Sequence, residues 1–140
     1  NIPWKFGRVT GKLYENGLPH TRKDIIILTK NNLKMPIKEL CKLLVHEKTH
    51  IYQKLKPKYV ENYLKYLKFV KLSKKTENIR ANPDTDDYIY ADSHGIILSA
   101  NYKPKAVKIT DVELIDNSQY YEHPYERMAM EFESFISSFR

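Results

Sequence analysis

One cysteine in 140 residues leaves no internal disulfide and no cysteine-built zinc site. That lone thiol, Cys41, reads as a small buried apolar residue on a helix. It fits a reducing compartment, and a cytoplasmic or virion-associated setting is expected rather than secretion. Four scattered glycines are too few to cradle a phosphate, and no serine or cysteine stands in a nucleophile motif. No run of 18 apolar residues exists, so no membrane span is expected. The opening Asn1-Ile2-Pro3-Trp4 lacks the basic-then-apolar pattern of a signal peptide, and a chain without an initiator Met is expected to be processed or trimmed.

Acidic residues are scarce in one stretch. Lys54, Lys56, Lys58, Lys65, Lys68, Lys71, Lys74, Lys75 and Arg80 face only Glu61 and Glu77, and the whole chain carries a net charge of +7. Such a surface draws nucleic acid, anionic lipid or acidic proteins. Tyr59, Tyr63, Tyr66 and Phe69 interleave with the lysines and would offer stacking surfaces for a nucleic acid. The plainer expectation is a solvated helix face with its aromatics turned into the core. A 41% hydrophobic and 29% charged composition suits a single globular domain over 1–140, expected to be a monomer.

What is present in the chain is clear periodicity. Trp4 to Thr10 reads as a first strand, Gly11 to Lys23 as a hairpin or irregular loop around Asn16-Gly17, and Ile25 to Leu28 as a short apolar strand. Pro36 opens a helix striped by Ile37, Leu40, Leu43, Leu44, Ile51 and Leu55, which Pro57 ends. A second, basic helix is expected over Glu61 to Leu72. A hairpin follows, with Tyr88-Ile89-Tyr90 and Ile96-Ile97-Leu98 flanking Asp92-Ser93-His94-Gly95. Lys108 to Ile115 reads as extended, and Pro124 starts a last helix striped by Met128, Phe132, Phe135, Ile136 and Phe139. The fold class expected is α+β, with a small mixed or antiparallel sheet packed on the first long helix. Asp84, Asp86, Asp87 and Asp92 lack the Gly and distal Glu of a calcium loop and read as a solvated turn.

His46-Glu47-Lys48-Thr49-His50 lies on the first long helix. Residues four apart lie one above the other on a helix, so both imidazoles can converge on one ion. Glu47 is about 100° around from His46, where its carboxylate can reach a water on that ion. Two imidazoles, one carboxylate and an open position make a catalytic zinc shell. The third ligand is best sought on the last helix, where Glu126 stands in the first turn. Glu122, His123 and His94 are its rivals.

Val45 to Gln53 (V-H-E-K-T-H-I-Y-Q) and His123 to Ala129 (H-P-Y-E-R-M-A) resemble the gluzincin class of zinc metallopeptidases. They are similar in particular to small members with an H-E-x-T-H-x-x-Q helix and a downstream [N/H]-P-x-E-x-x-A helix. The resemblance implies a zincin-like fold, Zn2+ on His46, His50 and Glu126, Glu47 as general base, and a peptide or protein substrate. Two departures stand out. Glu126 lies 76 residues beyond His50, with the basic helix and the hairpin filling an insertion. Many relatives also place an acid four positions after the ligand Glu to orient a zinc histidine, and here that position is Met130. The orienting group is then expected at Glu131 or a backbone carbonyl.

Donors for a developing oxyanion are sought among Tyr120, Tyr121, His123 and Tyr125, with His123 and Tyr125 foremost as catalytic candidates. The Ile25 to Thr29 strand is expected to pair with an extended substrate. The alternative is a catalytically idle scaffold of the same fold, acting as a binding protein that associates with nucleic acid through the basic 54–80 segment.

Overall fold

The computed structural model describes residues 1–12, 14–115 and 121–138. Its backbone contacts gather into two units, Asn1–Lys56 with Met128–Arg140, and Pro57–Arg127. Helices and short sheets together make an α+β chain.

In the first unit, β1 (Phe6–Val9), β2 (His20–Arg22) and β3 (Ile25–Thr29) form one mixed sheet in the order β1-β3-β2. β1 runs parallel to β3, with Phe6 opposite Ile26 and Val9 opposite Thr29. β2 runs antiparallel, with His20 opposite Ile27 and Arg22 opposite Ile25. The strand expected to receive a substrate, Ile25–Thr29, is therefore the centre of its sheet. Both of its edges are already paired, so it offers no open edge to a further strand.

β3 alternates in burial, with Ile26 and Leu28 buried. These two pack with Ile51 of α1 (Ile37–Leu55) into one apolar cluster, joined by Ile2, Leu43 and Leu44. Full burial of such a side chain contributes roughly 1.5–3 kcal/mol. Ile51 follows His50 directly, so this cluster also fixes the rotation of α1 about its axis. The ends of the expected stripe are not buried: Ile37 and Leu55 are exposed. Cys41 is exposed too, because it lies off the α1 face that meets β3.

In the second unit, α2 spans Pro57–Tyr66, with Val60 and Leu64 buried. The helix expected over Glu61 to Leu72 thus starts earlier and stops sooner. Lys68 adopts φ 62°, Phe69 N–H bonds to Leu64 carbonyl at 2.9 Å, and Lys68 N–H bonds to Lys65 carbonyl at 2.9 Å. This is a Schellman ending, with Phe69 and Leu64 as its buried apolar pair. Beyond it the chain turns extended as β4 (Val70–Lys74), which pairs with β5 (Tyr88–Ala91) and through it with β6 (Ile97–Leu98). The expected β5–β6 hairpin forms, with Tyr90 opposite Leu98. β7 (Ala100–Tyr102) and β8 (Val112–Leu114) make a further antiparallel pair.

α3 (Pro124–Ser138) begins in the second unit and continues into the first. Met128 and Ala129 are buried, whereas Phe132 and Phe135 of its expected core stripe are exposed. Phe139 lies outside the described residues. Among the described residues no helix is long and apolar enough to cross a membrane.

Candidate metal centre

α1 presents its chemistry on a face that is already buried. Glu47, Thr49, His50, Ile51 and Gln53 are its buried residues, and His46 is half-buried. The rings of His46 and His50 meet edge to face, 4.8 Å between centroids, and their Nε2 atoms stand 3.1 Å apart.

Each of these rings is oriented from behind. His46 Nδ1 lies 2.8 Å from Glu133 Oε2, and His50 Nδ1 lies 2.9 Å from Gln53 Oε1. Both partners are oxygens that can only accept, so both Nδ1 atoms carry protons. In a neutral imidazole that leaves each Nε2 as an acceptor. Two acceptor lone pairs at 3.1 Å repel unless a cation lies between them. A zinc ion bound by two imidazoles at about 2.1 Å in tetrahedral geometry would hold the nitrogens about 3.4 Å apart, close to the spacing found.

α3 brings the carboxylates. Glu126 is in its first turn, and Glu133 is seven residues later on the same continuous helix. Seven residues are close to two full turns, so the two acids share one face of α3. By its contacts Glu126 belongs to the second unit, and His46 and His50 to the first. Two acceptor imidazoles one helical turn apart are a donor pair that suits a metal ion. No protein-family model, curated protein or solved structure matches the chain.

The rival ligands are engaged elsewhere. Glu122 Oε1 accepts from Arg80 Nη1 at 3.1 Å and from Asn82 Nδ2 at 2.7 Å. The His94 side chain is 80% exposed, in the β5–β6 turn beside Asp92. His123 is wholly buried, with both ring nitrogens committed. Its Nε2 donates to Asp86 Oδ1 at 3.1 Å, and its Nδ1 accepts the Tyr125 N–H at 3.1 Å. That second bond makes His123 the N-cap of α3, satisfying one of the helix's open donors. Burial lowers the His123 pKa below its ordinary value, outweighing the opposing pull of Asp86, so the ring is held neutral.

Asp86 is the hub of this buried group. Burial alone would raise its carboxyl. Hydrogen bonds from His123 and from Tyr90 Oη at 2.7 Å, with the Tyr88 N–H, hold it well below the usual carboxylate range instead. Burial, with Asp86 nearby, pushes the phenols of Tyr90 and Tyr125 well above the usual tyrosine range, so both stay protonated. Tyr121 has the Arg127 guanidinium 5.9 Å from its ring, and Tyr120 lies outside the described residues. The run of acids is thus no single solvated turn. Asp92 caps its turn by accepting from the His94 and Ile96 N–H groups, whereas Asp86 and Asp84 are drawn inward.

The acid that meets His46 is Glu133, two turns beyond Glu126, rather than Glu131 or a backbone carbonyl one turn beyond it. Gln53 stood in the first motif without a role. In the basic stretch, Phe69 is buried, but Tyr59 is 67% and Tyr66 81% exposed, so the expected inward turn of the aromatics holds only in part.

Proposed function

We propose that the chain is a zinc-dependent metallopeptidase of zincin type, with Zn2+ held by His46, His50 and Glu126. The observation that carries this reading is the pair of Nε2 atoms, 3.1 Å apart, whose Nδ1 partners both force them to be acceptors. Zinc bound there would supply a Lewis acid and a water acidified toward neutral pH.

Glu47 is the general base on this reading. It follows His46 on α1 and is buried, so its carboxylate sits in a low-dielectric setting where proton transfer is not lost to bulk solvent. It accepts a proton from the attacking water and returns it to the departing amine. An extended peptide would add its backbone to β2, which is tied to α1 by Lys54 Nζ donating to the Thr21 carbonyl at 3.2 Å. Tyr125 and His123 act on this reading by fixing the start of α3 rather than by touching substrate.

The test is Glu47→Gln. The variant should bind zinc as the parent does and lose about 10²–10⁴-fold in cleavage of a peptide library, with chelator abolishing the parent's activity. Undiminished cleavage by the variant refutes the assigned base.

A second reading, association with nucleic acid through the second unit, is favoured by one observation. Tyr59 and Tyr66 are exposed two turns apart on α2, among exposed Lys58, Lys65 and Lys68.

A further inference from the structure

The 75 residues between His50 and Glu126 do more than connect the two motifs. We infer that Asn82, in the loop that follows α2 and β4, is the positioning residue for the Glu126 carboxylate; this rests on Glu126 being a metal ligand. Asn82 Nδ2 donates to Glu126 Oε1 and to Glu122 Oε1, at 2.7 Å each. Its Oδ1 accepts the Asp84 N–H at 2.9 Å, which fixes which end of the amide is the donor. The Asn82 carbonyl is held as well, accepting from the Thr85 N–H and hydroxyl at 3.2 Å.

An amide suits this position. Two carboxylates approach one point, and only a group with two N–H donors can serve both at once. Arg80 balances the charge of Glu122. A glutamate side chain has three rotatable bonds, and freezing them on metal arrival would weaken binding. Asn82 freezes them beforehand. The same loop supplies Asp86, which holds the His123 cap, so helix start and carboxylate are set by one segment. Asn82 acts through Glu126 and is not itself a ligand.

The experiment compares the full chain with Asn82→Ser, Asn82→Asp and Glu126→Ala, reading zinc affinity by competition with a chromophoric chelator. A visible spectrum with Co2+ reports the coordination geometry, and circular dichroism reports folding. Serine can still accept the Asp84 N–H but cannot span two carboxylates. Aspartate keeps the shape and the turn but has no donors, so it decides the matter if the serine variant does not fold. Both are expected to lose about 10–100-fold in zinc affinity with a changed cobalt spectrum. A purely structural role would alter melting without altering that spectrum. If folded Asn82 variants bind zinc within about twofold of the parent, with the parent's cobalt spectrum, while Glu126→Ala loses it, the inference falls and the metal centre stands. If Glu126→Ala also binds zinc like the parent, the metal centre itself is misassigned.

Discussion

Removing the Glu133 carboxylate tests the proposed metal centre from behind, without touching a proposed ligand. Glu133 accepts from His46 Nδ1 at 2.8 Å. A hydrogen bond to a charged group contributes about 1.5–3 kcal/mol, and one between neutral groups about 0.5–1.5. The Glu133 side chain is 34% exposed and that of His46 19%, so solvent screening puts this bond at the lower end, about 1.5 kcal/mol. On zinc affinity, Glu133→Ala should then cost about tenfold, and Glu133→Gln, which keeps a neutral acceptor, about threefold. Chelator competition measures both. The zinc-induced rise in melting temperature should shrink in the same order. A Glu133→Ala protein with the parent's zinc affinity would show that His46 needs no acceptor at Nδ1 to bind the ion.

Acid should weaken the protein through His123. Its folded pKa lies below its ordinary value, so the neutral ring contributes stability that is full above about pH 6.5 and is lost as pH falls through the depressed value. Asp86, also depressed, acts in the same direction below about pH 4. Asn caps helices well but does not titrate, so His123→Asn should flatten the fall in melting temperature between about pH 6.5 and 4.5; an unchanged slope assigns the loss elsewhere. On the second reading, single-stranded DNA should bind at low salt, and Tyr59→Ala with Tyr66→Ala should weaken that binding at least about fivefold. A low-salt gel shift with no retarded band ends that reading.

What the sequence revealed was local. The α1 stripe, the H-E-x-x-H spacing and the β5–β6 hairpin depend on neighbours a few residues apart, and they appear where periodicity put them. β2 escaped because His20-Thr21-Arg22 is only three residues long and polar, and its pairing comes from β3 rather than from its own pattern. The end of α2 was hidden because Lys68 is an unusual residue for a left-handed position, where glycine or asparagine is the customary sign. Asn82 and Asp86 gave no sign at all. Their partners are some forty residues away, and nothing in a polar loop tells which of its side chains will be turned inward.

Cys41 was expected inside and stands outside. It is the chain's one thiol, so a maleimide dye would attach at a single address. That address is five residues before His46 on the same helix, about 7.5 Å along its axis. A fluorophore there would lie within quenching range of a paramagnetic ion entering the cluster, so metal uptake could be watched in real time without any substrate.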